Sequence, residues 1–200
     1  MMTFFSVIEI VGTLAFAISG IRLAAAKRFD WFGAYVVGIT TAIGGGTMRD
    51  IMLDLTPFWM LNGDYLVVTA FALAIVIGLR KYLVRLDNTF YIFDAVGLGL
   101  FTVVGIEKTL AAGFPMWVAV VMGTITGAAG GVLRDILINE EPLIFRKEIY
   151  ALACVFGGVV FWGCQLLGLS GAALQIAAAV SVIAVRIVAV VFKLRLPVLK

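Results

Sequence analysis

Residues 42–50 read AIGGGTMRD, and residues 127–135 read GAAGGVLRD. Each stretch joins adjacent glycines to an Arg-Asp pair near the end of a long apolar run. A glycine weakens a helix by up to ~1 kcal/mol relative to alanine, and a charged side chain is costly inside a membrane. A fold that uses this combination twice needs a reason for both the glycines and the charges.

The composition around these stretches is that of a membrane protein. The chain has 200 residues, of which 63% are hydrophobic and 14% charged, and its mean hydropathy is +1.13. The surface of a soluble domain needs more charge than this, so we predict an all-α polytopic membrane protein forming a single membrane domain over 1–200. The expected transmembrane helices cover 3–21, 31–55, 64–80, 90–106, 115–138, 149–167 and 171–191.

The sequence also contains an internal repeat. A shift of 85 residues places Gly45-Gly46 on Gly130-Gly131 and Arg49-Asp50-Ile51 on Arg134-Asp135-Ile136, and it also aligns the flanking Pro57 and Pro142. Repeat one covers about 3–84, repeat two about 88–168, and a seventh helix about 171–192. Because each repeat has three spans, the second must enter the membrane from the opposite side, which predicts an inverted repeat with a pseudo-two-fold axis in the membrane plane.

Lysines and arginines indicate the orientation of the chain. The opposite face carries only Arg49 and Lys108, and twelve basic residues fall on the predicted cytoplasmic face: Arg22, Lys27, Arg28, Arg80, Lys81, Arg85, Arg134, Arg146, Lys147, Lys193, Arg195 and Lys200. The positive-inside rule then predicts an external N-terminus and a cytoplasmic C-terminus. The same dispersion over short loops argues against a nucleic-acid partner.

The glycine runs allow two interpretations. Gly44, Gly45 and Gly46 in the second span, and Gly130 and Gly131 in the fifth, fall at membrane depth. Adjacent glycines predict a broken or kinked helix, and bare backbone at this depth must be buried or line a wet cavity. The alternative is close helix packing through small residues. We favour the break because the two runs are related by the repeat.

The arginines that follow the glycines are expected to face the bundle interior, where they need partners, although snorkelling to an interface is the alternative. Their neighbours Asp50 and Asp135 point about 100° away on a helix, so we do not expect them to pair with Arg49 and Arg134.

Two other acids are better candidates for these pairs. Glu9 in the first span and Asp94 in the fourth are again related by the repeat. The predicted topology puts Glu9 with Arg49 in the outer half and Asp94 with Arg134 in the inner half. These pairs either serve only the fold or hold the bundle around a polar path near the pseudo-two-fold axis.

Two three-helix repeats with Gly-Gly-x-x-Arg-Asp and a seventh helix resemble the prokaryotic trimeric intracellular cation (TRIC) channels, also known as a glycine-transporter-domain family. The resemblance covers about 3–192, and the sequence departs from the pattern at Ala129, which precedes only two glycines. It implies a homotrimer in the lipid of a prokaryotic inner membrane. It also implies an ion path through each protomer, lined by glycine-kinked second and fifth helices, with potassium or sodium as the permeant ion.

The leading hypothesis is therefore a passive monovalent-cation channel, and the alternative is a secondary transporter of a small zwitterion such as glycine. Hydroxyl and carbonyl oxygens can replace the hydration shell of an ion, and the path has candidate hydroxyls at Thr40, Thr41, Thr47, Thr124 and Thr126. The chain has no histidine and no nucleophile–base arrangement or metal-ligand cluster. We therefore expect no catalytic activity, no resident metal and no cofactor. A purely structural scaffold would leave the repeated charged motifs unexplained.

Overall fold

A computed structural model of the protein describes residues 4–79, 89–146, 149–194 and 197. Within these residues the fold is entirely helical. Seven long helices, named α1 to α7, cover Phe4–Ala26, Trp31–Met52, Asp64–Gly78, Thr89–Ala111, Met116–Leu137, Ala151–Leu166 and Gly171–Val191. The predicted fold class, seven helices in two inverted repeats of three plus one, is confirmed.

The helix boundaries refine the predicted spans. The second helix ends at Met52 rather than at 55, and the fourth continues to Ala111 rather than ending at 106. By length and composition alone, α1, α4, α5 and α7 are long and apolar enough to cross a membrane, whereas α3 and α6 are shorter apolar helices. Part of the basic pattern that predicts orientation lies outside the described residues, namely Arg80, Lys81, Arg85, Lys147, Arg195 and Lys200.

The chain leaves α2 and α5 in the same way. Asp54 and Asn139, which are 85 positions apart, both adopt φ of 56°, a left-handed conformation that Asp and Asn tolerate better than most residues. A short helical turn follows each, Phe58–Leu61 after Pro57 and a 3₁₀ turn Leu143–Phe145 after Pro142. Equivalent sequence thus gives equivalent local structure in both repeats.

Helix packing follows the pseudo-two-fold axis. Within repeat one, α1 packs against α2 and α3, and within repeat two, α4 packs against α5 and α6. Between repeats, α1 packs against α4 and α2 against α5, while α7 packs outside on α4 and α6. At the axis the equivalent rings of Phe16 and Phe101 stack with centroids 5.5 Å apart and an interplanar angle of 8°. The four helices around the axis carry both Arg-Asp motifs.

Candidate functional site

The paired glycines lie where α2 crosses α5. A Cβ atom on Gly45 would lie 2.1 Å from the carbonyl oxygen of Thr126, and one on Gly130 would lie 2.3 Å from the carbonyl oxygen of Thr41. These two contacts are exchanged by the 85-residue shift, so they are the same contact seen from each repeat. At this crossing only a residue without a side chain lets the two backbones approach so closely.

The predicted helix break at these glycines is absent. Both α2 and α5 run without interruption through their glycine runs, so the alternative of close packing describes the structure. The lost helix propensity is offset by contacts that fill the space beside each glycine. A Cβ atom on Gly44 would lie 2.6 Å from the Leu133 side chain, and one on Gly46 would lie 2.4 Å from the Phe58 ring.

The adjacent aspartates, which we did not expect to pair with the arginines, do so in both repeats. Arg49 donates from Nε and Nη2 to Asp50 Oδ1 at 2.8 and 2.7 Å. Arg134 donates from Nε to Asp135 Oδ1 at 2.9 Å. The expectation treated side chains as fixed directions on the helix, but the long arginine side chain curls back far enough to reach its neighbour.

The second oxygen of each aspartate holds the turn that follows. Asp50 Oδ2 accepts the backbone N–H of Phe58 at 2.9 Å, and Asp135 Oδ2 accepts that of Leu143 at 3.0 Å. Those N–H groups open a helical turn and lack an intrahelical acceptor. The Arg-Asp motif therefore ties the end of α2 or α5 to the returning chain.

The two charge clusters are named inner and outer after the predicted topology. The inner cluster contains the predicted Asp94–Arg134 pair, which is confirmed. Arg134 Nη1 donates to Asp94 Oδ1 and to Ser19 Oγ, the latter at 3.0 Å. The Arg134 guanidinium also lies 4.9 Å from the centroid of the Phe90 ring. Both charged side chains are 0% exposed, so this is an ion pair in the core of the bundle.

The outer charge cluster does not contain the predicted Glu9–Arg49 pair. Glu9 pairs instead with Lys108, whose Nζ lies 2.6 Å from Glu9 Oε1, and Tyr65 donates its hydroxyl to Glu9 Oε2 at 3.1 Å. Lys108 Nζ also lies 5.0 Å from the centroid of the Phe58 ring. Arg49 keeps its bonds to Asp50, and its guanidinium lies over the same Phe58 ring.

Lys108 explains why the two ends differ. Its equivalent in repeat one is Leu23, so no lysine competes with Arg134 for Asp94 in the inner half. The basic-residue pattern predicted Lys108 on the outer face, but the sequence alone did not show that Lys108 lies close to Glu9. Tyr65 and Ser19 also belong to these clusters, and the sequence analysis did not single them out.

Two of the threonines predicted to line the path, Thr41 and Thr126, are buried and bonded to their own helices. Thr41 and Thr126 donate to the carbonyl oxygens of Val37 and Met122, both at 2.6 Å. Such a hydroxyl keeps lone pairs for a second partner. The path-lining role of these residues stays a prediction.

A cavity opens beside the inner cluster. Its volume is about 490 Å³, and it extends from the half-exposed Glu140 and Arg146 to the buried Asp135. Its walls also contain Arg22, Leu23, Ala26, Lys27, Phe90, Tyr91, Ile138 and Leu143. This cavity connects the inner surface of the bundle to the second Arg-Asp motif.

Comparisons with known proteins agree with this architecture. A family model described as glycine transporter matches twice, over residues 6–81 and 91–166, in the register of the internal repeat. The inner membrane protein YadS of Escherichia coli K12, from the UPF0126 group, is 46% identical over 76% of this chain and 75% of its own. A UPF0126 membrane protein of Vibrio cholerae is 38% identical over 95% of this chain and 80% of its own.

Solved structures match over nearly the whole length. A TRIC channel orthologue from Rhodobacter sphaeroides is 30% identical, with a TM-score of 0.89 over 95% of this chain and 98% of that one. A second structure, described as the structural basis for conductance through TRIC cation channels, is 31% identical, with a TM-score of 0.87 over 98% of both chains. The double match of the family model and these full-length likenesses show that the chain belongs to the glycine-transporter family of membrane proteins and has the TRIC channel fold.

Proposed function

We propose that the protein is a passive channel for monovalent cations, with potassium or sodium as the permeant ion and one path in each protomer. The observation that carries this proposal is the likeness to TRIC cation channels at about 30% identity over 95% or more of the chain. The path would run between α1, α2, α4 and α5, near the pseudo-two-fold axis.

The two buried charge clusters support a polar route along this axis. They lie at opposite ends of the α2–α5 crossing, because the repeats are inverted. In the described residues, Arg49 Nη1 and Arg134 Nη2 are buried without a hydrogen-bond partner. Buried donors without a protein partner are expected to be hydrated, and hydration at both ends is what a continuous aqueous path requires.

The arginines do not contradict a cation path. Each guanidinium lies within 3 Å of an aspartate oxygen of its own motif, and Arg134 also pairs with Asp94. A carboxylate at that distance offsets most of the field that a lone arginine would present to an ion. The glycine contacts also favour a path whose walls are positioned by the close packing of the α2 and α5 backbones. No break in either helix is needed.

We further propose a homotrimer embedded in inner-membrane lipid, with the N-terminus outside and the C-terminus in the cytoplasm. The trimer follows from the likeness to a structure described as a trimeric cation channel, and the location from the likeness to an inner membrane protein. The orientation follows from the basic residues alone. We propose no nucleic-acid partner, no cofactor and no enzymatic activity.

A flux assay in liposomes tests this function. Purified protein is reconstituted into vesicles loaded with potassium gluconate and diluted into an impermeant organic cation, and a voltage-sensitive dye reports the diffusion potential. A channel makes the interior negative without any ionophore, and protein-free vesicles give no signal. No potential in the presence of protein, together with saturable uptake of labelled glycine, would favour the transporter that the family description names.

A further inference from the structure

A third charged cluster, outside both Arg-Asp motifs, joins the two repeats at the inner surface. Glu140 accepts from Lys27 Nζ through Oε1 and from Arg146 Nη2 through Oε2, the latter at 2.7 Å. Arg146 is held in turn by a bond from its Nε to the Glu141 carbonyl oxygen at 2.6 Å. Lys27 follows α1 of repeat one, whereas Glu140 and Arg146 lie between α5 and α6 of repeat two. Glu140 thus ties a loop of repeat one to a loop of repeat two.

These three residues lie at the rim of the 490 Å³ cavity. Their side chains are between 33% and 42% exposed, while Asp135, Phe90 and Leu143 deeper in the cavity are buried. The Glu140 bridge therefore lies on the solvent side of the second Arg-Asp motif along this cavity.

The bridge breaks the symmetry of the fold. Most structural features repeat at 85 residues, including the Arg-Asp pairs, the turns and the glycine contacts. The positions equivalent to Lys27, Glu140 and Arg146 are Ala112, Leu55 and Leu61. The equivalent positions of the other half carry no charged side chain, so the bridge is specific to one end of the bundle.

The chemistry of the bridge suits a reversible contact. Hydrogen bonds from Lys27 and then from Arg146 lower the pKa of Glu140 below its ordinary value, so the carboxylate is charged at neutral pH. Solvent-exposed ion pairs are weak and are screened by salt. Thermal motion can therefore open the bridge and reform it.

We infer that the Lys27–Glu140–Arg146 bridge is a latch that narrows the inner mouth of the path and must open for ions to enter. The inference rests on the proposed channel function. In this inference Glu140 controls whether the path is open, whereas its negative charge alone would only change the local concentration of cations.

Single-channel recording of neutralised variants separates a latch from simple electrostatics. Glu140→Gln and Lys27→Gln each remove the Lys27–Glu140 ion pair, which is the part of the bridge that joins the two repeats. Each should therefore raise the open probability, by about two- to fivefold given the weakness of exposed pairs. The double variant should gain little beyond either single one. Surface electrostatics alone predicts opposite changes in unitary current for the two singles, with no change in open probability. That pattern would overturn the latch.

Glu141→Gln is the matched control, because Glu141 is the neighbouring exposed acid and its side chain makes no ion pair within the described residues. It should behave as wild type. A gain in open probability equal to that of Glu140→Gln would show that any acid at this surface has the effect, and would contradict a latch.

A second readout does not depend on conductance. Leu23 lines the cavity, so a Leu23→Cys, Cys164→Ser protein reports access to it, the other cysteine, Cys154, being buried. Modification by a positively charged methanethiosulfonate reagent should be about two- to fivefold faster when Glu140→Gln is added, although loss of the carboxylate charge alone would slow a cationic reagent. Equal rates would overturn the latch even if the protein failed to conduct, whereas faster modification without conductance would leave the latch standing and contradict the channel.

Discussion

At the scale of single residues, Arg134 shows how a charge is accommodated inside this bundle. Its guanidinium contacts Asp94, Asp135 and Ser19, and none of its surface is exposed. A buried ion pair adds little net stability, but removing one partner leaves an uncompensated charge. Removing Arg134 should therefore lower the free energy of unfolding by more than the net contribution of any one of its contacts.

Replacing Arg134 by methionine should destabilise the protein by about 3–5 kcal/mol, because two buried carboxylates lose their counter-charge. Arg146→Met is the control, since its ion pair is partly exposed and should contribute less than about 1 kcal/mol. Thermal unfolding in detergent measures both. Equal melting temperatures for the two variants would contradict a structural role for the Arg134 cluster.

Residue pairs were predictable from the sequence only where the repeat left no competitor. The 85-residue relation identified Asp94 with Arg134 correctly, because position 23 carries leucine. The same reasoning paired Glu9 with Arg49 and was wrong, because Lys108 comes from the other repeat and reaches Glu9 first. One sequence contains no distances between helices, so it could not rank two basic residues competing for one acid.

At the scale of helices, the α2–α5 crossing is where the glycines act. Backbone carbonyl oxygens of the facing helix lie within 2.3 Å of the Cβ positions of Gly45 and Gly130, and backbone atoms cannot move as a flexible side chain can. The sequence singled out these glycines, and their depth in the membrane stays a prediction. The sequence predicted a break because glycine has a low helix propensity. The close contact between α2 and α5, which keeps both helices continuous, exists only in the assembled bundle and could not be read from the chain.

Alanine at Gly45 should therefore push α2 away from α5 and destabilise the protein by about 2 kcal/mol or more, as overpacking does in other cores. Gly163→Ala is the control, because Gly163 lies within α6 and nothing is within 4 Å of its Cβ position. There the gain in helix propensity should leave stability unchanged or raise it by up to ~1 kcal/mol. A Gly45→Ala protein that melts no lower than the control would refute the close-packing role.

At the scale of the whole molecule, the pseudo-two-fold axis organises the structure and the departures from it give the molecule two unlike ends. The seven helices, the repeat and its inversion were predictable, because hydropathy and a gap-free repeat are properties of the chain alone. The differences between the ends were not, since they arise from side chains of one repeat meeting the other. Lys108 at the outer cluster and Glu140 at the inner mouth are both of this kind.

The orientation of these two ends is a prediction from the basic residues. A reporter that is active only in the cytoplasm should be active when fused after Lys200, and a tag before Met1 should be reached by an impermeant protease in intact cells. A protected N-terminal tag with an inactive C-terminal reporter would reverse the assignment of the inner and outer ends.

The proposed trimer has its own test. Native mass spectrometry of protein released from mild detergent should give three copies of the 21.5 kDa chain. Gly45→Ala, which acts within one protomer, should lower the melting temperature without changing this stoichiometry. A stable monomer or dimer as the main species would contradict the trimer.

The most direct test of the central claim, that a cation path runs through each protomer, is single-channel recording in a planar bilayer with asymmetric KCl. The account predicts discrete unitary currents whose reversal potential lies close to the potassium equilibrium potential. The glycine contacts and Arg134 maintain the packing of the path, and Gly163 takes part in neither. Gly163→Ala should therefore leave these currents unchanged. Silent bilayers with protein shown to be folded and inserted, or currents that reverse at the chloride potential, would contradict the account.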